Sequence, residues 1–206
     1  MNTKEKILYE SLKLFSTKGY EATGVEEIAK AVGIKAASLY KHYRNKRAIF
    51  YAILIETASR FDAFIKEISI YDELSEKDLI ILNPDILIKK VRELVHYSLN
   101  DEYVCNFRKL MTVEQFRSND FSKIYNHRFV NLMFEYYEKL YTRLIGLGLL
   151  TDEDPKILSQ MYGSTIYIHI GNCDRGMESE EECMEVLEKH VRVFYKQFSK
   201  GVCKND

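Results

Sequence analysis

Residues Thr23 to Phe50 read TGVEEIAKAVGIKAASLYKHYRNKRAIF. Val25, Ile28, Ala29 and Val32 recur at i, i+3, i+4 and i+7, which is one face of an α-helix. Gly33 follows at once, where a tight turn requires a residue that tolerates positive φ. Ala36, Leu39 and Tyr43 then fall at i, i+3 and i+7. Two helices of about two turns each therefore meet at a sharp corner, the outline of a helix-turn-helix. With Leu39 and Tyr43 facing inward, Ala37, Tyr40 and Lys41 face outward.

The charges around the second segment point the same way. Lys35, Lys41, His42, Arg44, Lys46 and Arg47 lie within thirteen residues that contain no acid. In a helix-turn-helix the second helix enters the major groove of DNA. Small outward residues permit close approach to base edges, Tyr40 can stack or hydrogen-bond, and Lys41 can neutralise phosphate. Taken alone, the charge run also fits a solvated basic helix.

With these residues in place, the run Ile28-Ala29, Gly33-Ile34, Leu39-Tyr40, His42-Tyr43 and Lys46 resembles the DNA-binding domain of the tetracycline-repressor (TetR) family of transcription regulators. The resemblance covers roughly residues 5–55. It departs from the family pattern at Gly24, where a hydroxyl residue is usual, at Lys35, where Ser is common, and at Ala37, where Gly is common. The resemblance implies an all-α fold of about nine helices. A three-helix DNA-binding domain over 1–50 would precede a larger helical domain over 51–206 that binds an effector and dimerises. It further implies a homodimer paired through its last two helices. Such a dimer would sit on a palindromic double-stranded DNA operator and respond to a small molecule, as a repressor. Lys35, Ala36, Ala37, Tyr40 and Lys41 would then meet base edges or nearby phosphates, with Ser38 on the same helix. Thr23, Gly24, His42 and Lys46 would meet the backbone. Lys46 carries an argument of its own: a cation in the first turn of a helix opposes the dipole unless an anion meets it.

Bulk properties agree with a polyanion partner for the first stretch only. Residues 1–50 hold 10 Lys/Arg against 5 Asp/Glu, and the remaining residues hold 20 against 26. Two prolines and nine glycines in 206 residues are too few for the many turns of an all-β fold. The opening Met1-Asn-Thr-Lys-Glu-Lys is charged and lacks the apolar core of an export signal. The apolar run from Leu144 to Leu150 is too short to span a membrane. The expectation is a cytoplasmic protein with no membrane association. Cys105, Cys173, Cys183 and Cys203 form no CxxC and are expected as free thiols.

The rest of the chain reads as successive helices. The first runs from Asn2 or Thr3 to Lys18, with Ile7, Leu8, Ser11, Leu12 and Phe15 buried and Gly19 as a left-handed cap. Thr23-x-x-Glu26 reads as a capping box, and Asn45 as the cap of a helix reaching about Tyr71, with the acidic stretch Tyr71 to Asp78 ending or interrupting it. Asn83-Pro84 starts a helix to about Leu99, and Asp101 one to about Arg117. Ser118-Asn119-Asp120 breaks the pattern before a long helix that Gly146 and Gly148 end. Asp154-Pro155 starts the next, with Ile157, Met161, Ser164 and Ile168 on one side and Leu158, Tyr162, Thr165 and His169 on the other. Ser179 to Glu182 is a capping box opening the last helix. Its apolar stripe is too wide for a single neighbour and fits packing on both its own body and a partner chain.

For effector binding, His96, Tyr97, Phe107, Met111, Phe129, Met133, Tyr137, Tyr162 and His169 are the candidates, as aromatic, Met and His side chains on inward faces. Plain core packing is the alternative for each. A rival class is an enzyme on a helical bundle. Glu93-x-x-His96 has the spacing of di-iron ligands, but that site needs a second such pair, and the chain has none. No Walker A, GxSxG or HExxH motif and no Cys/His cluster with zinc spacing occurs, so no catalytic residue, cofactor or metal is assigned. A DNA-binding protein without an effector is the other alternative.

Overall fold

The computed structural model describes residues 1–68 and 83–200. Among them the chain forms α1 (Thr3–Lys18), α2 (Val25–Val32), α3 (Ala36–Tyr40), α4 (Lys46–Ile68), α5 (Pro84–Asn100), α6 (Glu102–Glu114), α7 (Asn119–Tyr125), a π-helical turn (Asn126–Asn131), α8 (Leu132–Gly146), α9 (Pro155–Asp174) and α10 (Glu180–Phe198). No strand occurs among the described residues; the only β pairing there is an isolated bridge between Leu150 and Ser199. The fold is all-α, as expected. No helix among the described residues is long and apolar enough to cross a membrane. The expected reach of α4 to Tyr71, the acidic stretch Tyr71 to Asp78 and Cys203 lie outside the described residues.

Local chemistry sets most helix ends. Asn2 accepts from the Glu5 amide and Glu5 accepts from the Asn2 amide, a reciprocal box that starts α1. Asn45 Oδ1 accepts from Ala48 N–H at 2.8 Å and caps α4. Asp154 accepts from Lys156 N–H with Pro155 at the first helical position, and Ser179 with Glu182 forms the capping box of α10. Two expected caps differ. Gly19 has φ 88° and ψ 157°, a glycine-favouring backbone but not the left-handed helical one. The residue before α2 is Gly24, and the Thr23 hydroxyl donates back to the Gly19 carbonyl at 2.9 Å, so no Thr23–Glu26 box forms. The helix expected from Asp101 to Arg117 ends at Glu114, and the expected break falls at Ser118, whose Oγ accepts from Phe121 N–H at the start of α7.

The described residues fall into two compact units. Met1–Phe64 with Asn100–Tyr125 form one, and residues of Ile65–Leu99 and Asn126–Asp206 form the other. The first unit thus takes in more than the expected 1–50. Its core joins Ile7, Leu12 and Phe15 of α1, Ile28 of α2, Leu39 of α3, Ile49, Phe50 and Ile53 of α4, and Phe107, Leu110 and Met111 of α6, all essentially without solvent contact. Each such side chain contributes about 1.5–3 kcal/mol of burial. Tyr20 binds the cluster edge-on, its ring 5.5 Å from that of Phe50 and 5.4 Å from that of Phe121. Glu114 of α6, fully buried, accepts from Tyr20 N–H at 3.0 Å and from Arg117 Nη1 at 3.3 Å.

The second unit is built on Ile88, Val91 and Val95 of α5, Tyr137, Leu140, Tyr141 and Leu144 of α8, Leu158, Tyr162, Ile166 and Ile170 of α9, and Met184, Leu187, Val191 and Phe194 of α10. Ser159 Oγ donates to the Phe134 carbonyl at 2.7 Å and fixes α9 against α8. On α9 the Leu158–Tyr162 side is the buried one, and Ile157, Met161 and Ile168 are about half exposed (50, 49 and 52%). On α10, Val186 and Val193 likewise face outward beside a buried stripe.

Candidate nucleic-acid interface

The corner between α2 and α3 is set by Gly33, at φ 80° and ψ 33°. In this left-handed conformation the Ile34 amide reaches back to the Ala29 carbonyl at 2.9 Å, closing the end of α2. The chain then turns into α3, which has only five regular residues. It is extended by tighter hydrogen bonds, Lys41 N–H to the Ser38 carbonyl and His42 N–H to the Leu39 carbonyl. Leu39 is fully buried and Tyr43 nearly so. These anchors roll the other face outward: Lys35, Ala37, Tyr40, Lys41, His42 and Arg44 are exposed, while Ala36 and Ser38 are half-buried. Half of the Tyr40 surface is open to solvent. No acid pairs with Lys35, Lys41 or Arg44 among the described residues, so a cluster of uncompensated positive charge surrounds Ala37 and Tyr40.

Three side chains of this region have partners inside the protein. Thr23 is buried, its hydroxyl donating to Gly19, so that side chain is not offered to a backbone phosphate. Lys46 is engaged inside the protein. Its ammonium donates to the carbonyls of Tyr20, Glu21 and Thr23 at 2.8, 3.2 and 3.1 Å, and lies 4.5 Å from the centre of the Tyr20 ring. The cation at the start of α4 is thus met by three carbonyl dipoles and a π face, and no phosphate is needed to account for it. Arg47, counted in the basic run, donates to Asp120 at 2.8 Å and to the Tyr51 hydroxyl. Gly24 is exposed at the start of α2.

The candidate effector residues do not converge. Phe107 and Met111 lie in the core of the first unit, where α6 packs on α1, and are not part of the second unit. His96 is exposed and paired with Glu180 at 2.9 Å, so it does not face inward. Tyr137 and Tyr162 do come together, rings 5.0 Å apart and edge-on, within an aromatic cluster that includes Tyr141 and Phe194. Burial pushes the Tyr137 phenol well above its usual range. Tyr97, Phe129 and Met133 are half-buried in the second unit. His169 hydrogen-bonds Glu178 at 2.6 Å. Glu93 pairs with Lys90 and His96 with Glu180, so the isolated Glu-x-x-His does not converge on one point.

A buried inner face, a glycine corner and an outward basic face define a helix-turn-helix DNA-binding domain. Residues 7–53 match the family model described as bacterial regulatory proteins, tetR family. The same region is 51% identical over 47 residues to the biofilm operon icaADBC HTH-type negative transcriptional regulator IcaR of Staphylococcus epidermidis, and 49% identical to that of Staphylococcus aureus strain Newman. Each match spans 23% of this chain and 25% of the relative. Over nearly the full chain the fold is that of the SmeT–triclosan complex (TM-score 0.71, 20% identity, 98% of this chain and 94% of the other). It is equally that of a TetR family transcriptional regulator from Pseudomonas syringae pv. tomato (TM-score 0.67, 14% identity, 96% and 97%). Residues 7–53 are thus similar to the DNA-binding domain of tetR-family regulators, and the chain as a whole has the fold of the solved TetR-family regulators.

Proposed function

We propose that the chain is a homodimeric transcription regulator that represses from a palindromic operator and is released by a small molecule. The observation that carries this reading is the outward face of α3 and its flanks, where Lys35, Lys41 and Arg44 stand without acidic partners among the described residues, around exposed Ala37 and Tyr40. Cations left unpaired in this way release counterions when they meet phosphates, and small side chains between them let the backbone approach the bases. Lys35, Ala36, Ala37, Ser38, Tyr40 and Lys41 read the groove; Gly24, His42 and Arg44 track the strand beside it. Repression is supported by the IcaR relatives, which are named negative regulators.

Dimerisation is assigned to the exposed apolar residues of the last two helices, Ile157, Met161 and Ile168 on α9 with Val186 and Val193 on α10. An apolar stripe flanking a buried one on the same helices is what a helical partner covers. A twofold axis there presents two α3 helices to half-sites one DNA turn apart. Residues 1–50, within the first unit, serve DNA, and the second unit serves dimerisation and effector binding. The effector binds the non-DNA-binding arrangement better and shifts the population toward it. Support for a small-molecule response comes from the SmeT neighbour, which was solved with triclosan.

The test is binding of the full chain to duplex DNA by fluorescence anisotropy across a salt series. Neutralising Lys35, Lys41 and Arg44 together should collapse both the affinity and its salt dependence. Unchanged binding by that triple variant would overturn the assignment.

A further inference from the structure

The end of α9, the connection after it and the first turn of α10 bring together groups that the sequence spacing does not mark as a cluster. Cys173 Sγ, a carboxylate oxygen of Glu178 and Cys183 Sγ lie within 4.8 Å of one another. Around a tetrahedral zinc ion with bonds of about 2.0–2.3 Å, such atoms sit roughly 3.5–3.8 Å apart. Closure of about 1 Å by side-chain rotation is therefore enough. The carboxylate is already oriented from behind. His169 Nδ1 lies 2.6 Å from Glu178 Oε2, and Asn172 Nδ2 donates to Oε1 at 2.7 Å. Supporting hydrogen bonds of this kind fix ligands around a metal.

We infer that Cys173, Glu178 and Cys183 form a binding site for a thiophilic divalent cation of the zinc class, with a fourth position open. Two thiolates select zinc, cobalt or cadmium over magnesium and calcium, which require oxygen ligands. Glu178 is ready as a ligand, because its bonds to His169 and Asn172 hold its carboxyl below the usual range. The thiols are held protonated: burial raises Cys173 and pushes Cys183 up to about 12. Binding therefore releases both thiol protons and leaves the cation facing two thiolates and one carboxylate, for a site charge of minus one. Such an ion would tie α9 to α10, and the inference stands apart from the DNA-binding reading.

The experiment is a titration of the full chain, reduced with a phosphine and freed of metal, with Co²⁺ followed by Zn²⁺. A thiolate-to-cobalt charge-transfer band should grow to one equivalent per chain and vanish when zinc displaces cobalt. Cys173→Ser, at a half-buried position, should abolish the band while keeping the helical circular dichroism. Cys105→Ser with Cys203→Ser should leave it intact. His169→Ala should weaken affinity by about 10- to 100-fold through loss of carboxylate orientation. Absence of the band at saturating cobalt, its survival in Cys173→Ser, or its loss in the Cys105/Cys203 double variant would overturn the assignment.

Discussion

The ammonium of Lys46 donates to the Tyr20 carbonyl at 2.8 Å and at the same time lies over the Tyr20 ring, 4.5 Å from its centre. Two further carbonyls, those of Glu21 and Thr23, complete its hydrogen bonding. One side chain at the start of α4 thus fastens the connection that leads into α2. These contacts hold the helix-turn-helix together.

Lys46→Met should therefore act on stability. Carbonyls stripped of a charged donor cost about 1–3 kcal/mol, which lowers Tm by several degrees. The slope of log affinity against log salt on duplex DNA should stay as it was. An unchanged Tm with a shallower salt slope would return Lys46 to the phosphate-binding set.

Lys41→Ala should behave in the opposite way. The side chain is exposed and no acid among the described residues pairs with it, so thermal stability should hold within about 0.5 kcal/mol. The salt slope should fall by about 0.9 for each recognition helix, and twice that for a dimer.

Tyr40→Ala separates specificity from affinity. Half of the Tyr40 surface is exposed and its backbone lies in α3, so its removal should spare the fold. Affinity for the operator should drop more than affinity for random duplex, by about 1–3 kcal/mol of discrimination if the ring reads a base. Equal losses on both DNAs would confine Tyr40 to the phosphate backbone.

The two glycine turns of the first unit should differ in cost. Gly33 has positive φ and open space where a Cβ would project, so Gly33→Ala costs only the backbone term, about 1–2 kcal/mol. At Gly19, also at positive φ, a Cβ would lie 3.1 Å from Glu114 Oε1 and 3.2 Å from Arg117 Nη1. Gly19→Ala should therefore be the more damaging by urea denaturation, because it disturbs the buried carboxylate that holds the Tyr20 amide.

Val193 is 68% exposed on α10. Val193→Glu should convert the dimer to monomer in sedimentation velocity while leaving helical content unchanged. A dimer that persists would move the interface away from this stripe.

What was legible in the sequence was local. Asn45, Asp154-Pro155 and Ser179–Glu182 cap helices through groups two or three residues away, so their spacing is visible in the chain. The i, i+3, i+4 stripe of α1 and the two sides of α9 were legible for the same reason. The carbonyl partners of Lys46 were not legible because they lie more than twenty residues earlier, and its charge alone resembles a phosphate ligand. Thr23 was misread because its hydroxyl turns back to Gly19 and not forward to the helix it precedes. Phe107 and Met111 carry an inward-facing pattern that says nothing of which unit they join; packing of α6 on α1 decides that. Cys173, Glu178 and Cys183 escaped notice because a helix end and a helix start, not a short motif, bring them together.

The measurement that bears most directly on the central claim is selection of bound duplexes from a random DNA library by the ligand-free full chain at low salt. Enrichment of a palindrome with half-sites about one helical turn apart is the predicted result. That enrichment should be lost when Lys35, Lys41 and Arg44 are neutralised. A bound pool as random as the input, or a palindrome still enriched by the neutralised variant, would contradict the assignment of α3 as the recognition helix.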